Sequence, residues 1–141
     1  MRLELDHLVV AARTLDEGVG WCEATLDVTP GPGGKHPLMG THNRLLRIAS
    51  DAFAASYLEI IAIDPDAPPP GRARWFDLDR LDLAAGPRLV HAVARTTSLD
   101  EALHALAAVG IDAGRALEAS RDTPAGRLQW RITIRDDGAR P

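Results

Sequence analysis

One carboxylate stands in an otherwise apolar strand pattern. Glu59 lies in the segment Tyr57-Leu-Glu-Ile-Ile-Ala-Ile63. Its apolar residues on both faces predict a strand that is covered on both sides. A carboxylate buried alone costs several kcal/mol unless it is paired or bound to a cation. Two interpretations stay open: a salt bridge to Arg44 or Arg47 on the neighbouring strand, or a catalytic and metal-binding role.

Two histidines lie 84 residues apart in matching surroundings. His7 falls on the apolar side of the alternating pattern of residues 3–11, and His91 occupies the same place in residues 88–96. Neutral imidazole is a good ligand for zinc, nickel and iron(II). Two imidazoles and one carboxylate match the facial triad of non-haem iron(II) sites. The other interpretation is that His7 is a core residue whose ring makes its hydrogen bonds within the protein.

Four further side chains could contact a ligand. His42 and Asn43 begin a strand pattern and could transfer a proton and donate a hydrogen bond, although turn capping explains this segment as well. Arg131 could bind a substrate carboxylate or lie exposed on a sheet. Trp75 could cover the pocket or only the linker that contains it. The catalytic candidates are therefore Glu59 and His42.

The elements that would position these residues occur twice. The strand pattern at 3–11 is followed by Thr14-Leu-Asp-Glu17, a capping box that predicts a helix. The strand pattern at 88–96 is followed, at the same distance, by Ser98-Leu-Asp-Glu101. This recurrence indicates an internal duplication of a strand–helix–strand–strand–strand unit.

The remaining elements are predicted from alternation and from turn residues. Pro30 to Gly34 predicts a loop, and four of the ten prolines lie between residues 64 and 74, which predicts a structured linker over about 65–87. The second copy has no counterpart of the strand that carries Glu59. Four further strands are predicted, at 41–49, 57–63, 113–120 and 127–134.

Composition limits the classes of function. The 141 residues, 45% hydrophobic and 26% charged, are typical of one globular domain. A net charge of −4 with scattered arginines argues against nucleic acid and anionic membrane as partners. The lone Cys22 excludes an internal disulfide and a cysteine-rich zinc site. No apolar run suits a membrane span or a signal peptide, so a cytoplasmic location is expected.

The duplicated unit resembles a known family. His7-Leu-Val-Val, Gly40-Thr-His-Asn-Arg-Leu-Leu and Tyr57-Leu-Glu-Ile are similar to the glyoxalase-like domain of the vicinal oxygen chelate superfamily, which includes glyoxalases, bleomycin resistance proteins and extradiol dioxygenases. The resemblance implies an α+β fold in which paired βαβββ modules form a curled mixed sheet around a cavity. One domain would span 1–141, with a first module at about 1–64 and an incomplete second module at about 88–141.

The resemblance also implies a metal site and a reaction class. The ligands would be His7, Glu59 and His91, holding zinc, nickel, iron(II) or manganese, and the superfamily's fourth ligand has no counterpart here. A metal-dependent lyase, isomerase or dioxygenase acting on a small oxygen-bearing molecule is the first expectation. A metal-free protein that binds or sequesters a small compound is the second, and a chain without a functional pocket the third. The missing strand leaves a sheet edge open, which predicts a homodimer.

Overall fold

The computed structural model describes the chain from Met1 to Pro141. A single turn of 3-10 helix lies at Trp75–Asp77, within the long connection between residues 63 and 88. No helix of the structure has the length and apolar character needed to cross a membrane. The helices and strands, in chain order, are β1 (Leu3–Ala11), α1 (Leu15–Leu26), β2 (Gly31–His36), β3 (Thr41–Arg47), β4 (Tyr57–Ile63), β5 (Arg88–Thr96), α2 (Leu99–Ala108), β6 (Arg115–Thr123) and β7 (Gly126–Ile134).

Five strands form one mixed sheet in the order β2-β3-β4-β1-β5. β4 runs parallel to β1, whereas the other neighbouring strands are antiparallel. β6 and β7 form a separate antiparallel pair. The predicted α+β fold with two related units is therefore confirmed. The first unit is β1, α1, β2, β3 and β4; the second unit is β5, α2, β6 and β7.

The first unit covers one face of its sheet with α1. The hydroxyl of Thr14 accepts a hydrogen bond from the Glu17 backbone N–H at 3.1 Å, as the capping box predicts. α1 packs against β3 and β4. Cys22 of α1 is fully buried in a cluster with Val10 and Ile60. Helix and strand therefore bury each other on this face of the sheet.

The loop predicted at Pro30 to Gly34 is wrong, because most of this segment belongs to β2. Glycine and proline are tolerated here since β2 is an edge strand, paired only with β3. The pairing register shifts between Pro32 and Lys35, so the strand bends within the glycine-rich part. Lys35 ends this bend and its ammonium lies 2.8 Å from the Asp64 carboxylate.

The proline-rich connection packs over the other face of the sheet. Trp75, Phe76 and Leu78 are buried in a cluster with Val9 and Ile61. The predicted structured linker thus supplies four of the nine buried residues of this cluster. Phe76 has a φ of 59°, in the left-handed region, where a bulky side chain is unusual. Burial of its ring between Trp75 and His91 accompanies this conformation.

Three strands of the second unit have a free edge. β5 pairs only with β1, and β6 and β7 pair only with each other. Consecutive residues 91–97, from β5 onward, and 130–135, from β7 onward, line one cavity. In the first unit, β4 lies between β1 and β3; the second unit of this chain has no strand in the corresponding place.

Candidate functional site

A cavity of about 1220 Å³ lies on the face of the five-stranded sheet opposite α1. β6 and β7 form another part of its lining, and α2 adds leucine side chains. Strand residues alternate between faces, and the residues of β3 and β4 that line the cavity follow this alternation: Asn43, Leu45 and Arg47, and Tyr57 and Glu59. The polar side chains that line this sheet face are His7, His36, Asn43, Tyr57, Glu59 and His91.

Glu59 is the most deeply buried carboxylate among these side chains, with 5% of its surface exposed. The Asn43 side-chain amide donates a hydrogen bond to Oε1 at 2.6 Å. Oε2 faces Nε2 of His7 at 3.4 Å. Arg44, one of the salt-bridge partners considered above, donates instead to the backbone carbonyls of Gly31 and Pro30. The partners of Glu59 are therefore an amide and an imidazole.

His7 lies between two carboxylates. Its Nδ1 is 2.7 Å from Oδ1 of Asp6, and its ring stacks on Tyr57 with the ring centres 4.6 Å apart. Burial opposes a charge on His7, but the hydrogen bonds and charges of Asp6 and Glu59 outweigh burial and raise the pKa of His7 to about 9. His7 is consequently an imidazolium at neutral pH.

Glu59 is held in its ionised form by the same contacts. Burial alone would raise the pKa of Glu59, but the hydrogen bonds from His7 and Asn43, together with the His7 charge, hold that pKa below its usual range. The site therefore contains a buried carboxylate and a buried imidazolium side by side. Such a pair is stable only because both partners are present.

His36 belongs to the same network, and sequence analysis missed it. Its Nδ1 lies 3.0 Å from the Thr41 hydroxyl, and its Nε2 lies 3.3 Å from the Asn43 amide nitrogen. Burial lowers the pKa of His36, so the ring is neutral and its Nε2 can accept from Asn43. His36 was missed because it ends β2, most of which lies in the segment predicted as a loop.

Glycine residues of β2 fix the position of Asn43. The Gly34 N–H donates to the Asn43 side-chain oxygen at 2.8 Å. A methyl group on Gly33 would lie 2.1 Å from that oxygen and 2.2 Å from the Asn43 backbone oxygen. Only glycine allows β2 to approach so closely. The amide of Asn43 is thereby oriented with its nitrogen toward Glu59.

The proposed metal ligands are brought together in part. His7 and Glu59 face each other at a separation that suits two ligands of one ion. His91 lies opposite Val9, on the same sheet face, and its ring packs 5.6 Å from that of Phe76. No three His, Cys, Asp or Glu side chains of this structure converge closely enough to hold a metal ion. The separation of His7 and Glu59 therefore suits an ion, but His91 does not complete the set of three ligands.

The structure does not bring His42 to the site. Neighbouring residues of a strand face opposite sides of the sheet, so His42 and Asn43 cannot both point into the cavity. Nδ1 of His42 lies 3.9 Å from the Asp64 carboxylate, and His42 is not among the lining residues. Asn43, by contrast, contacts Glu59 directly.

Trp75 and Arg131 both line the cavity. Trp75 packs edge-on against His36, with 5.2 Å between ring centres, and its indole nitrogen is buried without a hydrogen-bond partner. Arg131 lies 3.4 Å from Asp100 and 3.8 Å from Glu118. Two carboxylates of the chain therefore already compensate the charge of Arg131.

Arg121 of β6 is a second residue that sequence analysis missed. It lines the cavity, and its Nε is buried without a hydrogen-bond partner. Nothing in the sequence distinguishes Arg121 from the other arginines, since the difference lies in which of them have carboxylate partners in the folded chain.

Comparison with known proteins agrees with this fold. A family model described as a glyoxalase-like domain matches residues 5–141. No curated protein matches the chain. A hypothetical protein from Staphylococcus aureus aligns with a TM-score of 0.62 and 17% identity, over 96% of this chain and 55% of that one. The present chain thus spans about half the length of that protein.

Two epimerases are also similar in structure. A methylmalonyl-CoA epimerase variant from Streptomyces coelicolor, in complex with 2-nitronate-propionyl-CoA, has a TM-score of 0.56 and 20% identity, covering 91% of this chain and 86% of that one. The epimerase from Mycobacterium tuberculosis has a TM-score of 0.51 and 19% identity, covering 91% and 77%. At such identities the likeness shows the fold alone. Because the family model matches nearly the whole chain, this protein belongs to the glyoxalase-like domain family.

Proposed function

We propose that this protein is an isomerase-type enzyme that moves a proton at a carbon atom next to a carbonyl group. The observation that carries the proposal is the buried, ionised carboxylate of Glu59 at the cavity, with the His7 imidazolium beside it. A base and a positive charge within one small site are what removal of a proton next to a carbonyl requires. Similarity to the fold of two methylmalonyl-CoA epimerases supports this class of reaction.

The proton would move as follows. Glu59 accepts the proton from the substrate carbon, and the electron pair of the C–H bond moves toward the carbonyl oxygen to form an enolate. The imidazolium of His7 stabilises the negative charge on that oxygen. When the planar enolate turns over in the site, return of the proton from Glu59 to the opposite face of the carbon inverts that carbon without any net change in the enzyme. Asp6, 2.7 Å from Nδ1 of His7, keeps the ring oriented and charged.

A divalent metal ion is an alternative source of positive charge at this site. It would replace the proton of His7, because imidazole binds a metal only in its neutral form. His7 and Glu59 would hold the ion, and His91 would have to move toward them to become the third ligand. All three line the cavity from the same sheet face. Such an ion would polarise a substrate oxygen. Elemental mass spectrometry should find near-stoichiometric metal that falls in His91→Ala and is retained in His104→Ala, a control at an exposed position of α2. Protein that takes up no metal on reconstitution would contradict this part of the proposal.

Deuterium exchange tests the proton transfer. In D₂O, the protein should introduce deuterium next to the carbonyl of methylmalonyl-CoA or of a compound from a panel of small 2-oxo and 2-methyl carboxylic acids, as detected by mass spectrometry. Glu59→Gln should slow exchange by about a hundredfold or more, because the amide cannot accept the proton. Glu23→Gln, at an exposed position of α1, is the control. Exchange that persists at the normal rate in Glu59→Gln would overturn the mechanism.

A metal-free binding protein is the second candidate. It is favoured by the absence of three converging metal ligands and by the leucines that α2 adds to the cavity, Leu99, Leu103 and Leu106. The same panel distinguishes the two candidates. A compound that binds with unchanged affinity to Glu59→Gln and never exchanges deuterium would favour sequestration over catalysis.

We also propose that the chain forms a homodimer. The free edges of β5 and β7 present unpaired backbone N–H and C=O groups, which favour pairing with another chain. Light scattering at micromolar concentration should give twice the mass of one chain. A monodisperse monomer would contradict this proposal.

A further inference from the structure

Arg121 differs from the other arginines of its two-stranded sheet. Arg115, Arg127 and Arg131 each lie within reach of an Asp or Glu side chain. Arg121 has no such partner, and its buried Nε makes no hydrogen bond. Its side chain is half-buried and lines the cavity. A cation removed in part from water without an anion is unfavourable, so the free chain leaves this group unsatisfied.

The side chain of Arg121 reaches the edge of the catalytic network. β6 contacts β2, and a methyl group on Gly34 would lie 3.4 Å from both Cδ and Nη1 of Arg121. The Gly34 N–H bonds to Asn43, and Asn43 bonds to Glu59. Arg121 is thus connected to Glu59 through Gly34 and Asn43, and Arg121 and Glu59 line the same cavity.

The positive charge of Arg121 affects the protonation of His36, a residue of the network around Glu59. Burial lowers the pKa of His36, and the positive charge of Arg121 is among the contributions that lower it further. Trp75, which packs against His36, has a buried indole N–H without a partner. Two unsatisfied donors therefore lie on the same side of the cavity, beside His36.

We propose that Arg121 binds a carboxylate group of the substrate, so that the site selects small carbonyl compounds that also carry a carboxylate. The planar guanidinium donates two parallel hydrogen bonds to a carboxylate, which fixes orientation as well as charge. The inference rests on the proposed function, because that function places the reacting carbon at Glu59. Arg131 is the less suitable residue, since Asp100 and Glu118 already face it.

Binding of defined probes tests the inference without turnover. Malonate and its uncharged diamide have the same carbon skeleton, and calorimetry measures the affinity of the protein for each. The protein should prefer malonate, and Arg121→Gln should weaken malonate binding by about ten- to a hundredfold without changing diamide binding. Arg121→Lys should restore only part of the preference, because an ammonium lacks the fork geometry. Arg127→Gln, in the same two-stranded sheet and outside the cavity lining, is the matched control.

Several outcomes would overturn the inference. Malonate binding that is unchanged in Arg121→Gln, while unfolding midpoints match those of the unaltered chain, would do so. So would a preference lost in Arg131→Gln and retained in Arg121→Gln, or tighter binding of inorganic phosphate than of malonate. A carboxylate preference that depends on Arg121, without any deuterium exchange, would contradict the proposed proton transfer and would still support carboxylate binding by Arg121.

Discussion

The two units of this chain share an order of elements and differ in how completely they are packed. In the first unit α1 packs on β3 and β4, and the strand between β1 and β3 carries Glu59. In the second unit α2 and residues of β5, β6 and β7 line the cavity, and each of these strands has one free edge. The network of Glu59, His7, Asn43 and His36 comes wholly from the first unit. The first unit therefore holds this polar network, and the second supplies much of the remaining cavity lining, including His91 and Arg121.

The largest expected effect concerns packing under the two helices. Ile60→Ala removes a fully buried side chain beneath α1 and should lower the free energy of unfolding by about 2–5 kcal/mol. Leu106→Ala, on the half-exposed side of α2, should cost about 1 kcal/mol or less. Urea unfolding monitored by circular dichroism measures both. Equal losses would mean that another chain covers α2 in solution, which would support the homodimer.

The pKa values of the two equivalent histidines, His7 and His91, should be shifted in opposite directions. The pKa of His7 is raised from 6.5 to about 9, whereas burial, the Arg140 charge and the His7 charge lower that of His91. The stabilisation from His7, on the order of 3 kcal/mol, is present in full below pH 6.5 and is lost as pH rises through about 9. His91 changes the free energy of unfolding in the opposite way. Its contribution is present above pH 6.5 and is lost as pH falls from 6.5 through its lowered pKa.

Nitrogen-detected NMR of the imidazole rings tests this difference. At pH 7.5 the ring of His7 should be protonated and that of His91 neutral. Urea unfolding should show stability falling from pH 6.5 to pH 9.5, and His91→Gln should leave that fall in place. Two histidines that both titrate near the ordinary value would show that the units are electrostatically alike.

The smallest expected effect concerns the two capping boxes. Thr14 caps α1 through its hydroxyl, whereas Ser98 makes no side-chain bond to the first turn of α2. Thr14→Ala should therefore cost about 1 kcal/mol and Ser98→Ala close to nothing. Thermal unfolding measures the difference. A Ser98→Ala loss as large as that of Thr14→Ala would mean that the second cap forms in solution.

Alternation along the strands accounts for what the sequence could predict. It located the strands that carry His7, Glu59 and His91, the resemblance brought these three residues to one cavity, and the capping boxes located both helices. Alternation also should have separated His42 from Asn43, which were predicted together because both lie at the start of one strand. The strand β2 was not foreseen in its glycine- and proline-rich segment, because these residues are typical of turns and their extended form depends on pairing with the adjacent strand β3.

The arginines mark a different limit of sequence reasoning. Whether Arg121 or Arg131 has a free guanidinium depends on which carboxylates β6, β7 and α2 bring near each of them. The spacing of residues along the sequence does not predict such long-range ion pairs. The metal triad meets the same limit, since facing the same cavity does not place His91 within reach of the ion that His7 and Glu59 could share.

Lys35 has a practical consequence for following ligands in solution. It is the sole lysine, its side chain is 64% exposed, and it precedes His36 of the network. Once the α-amine of Met1 is blocked, an amine-reactive reagent can therefore attach one fluorophore to β2, next to the cavity wall. Movement of β2 when a molecule enters the cavity would then change the emission of a single dye.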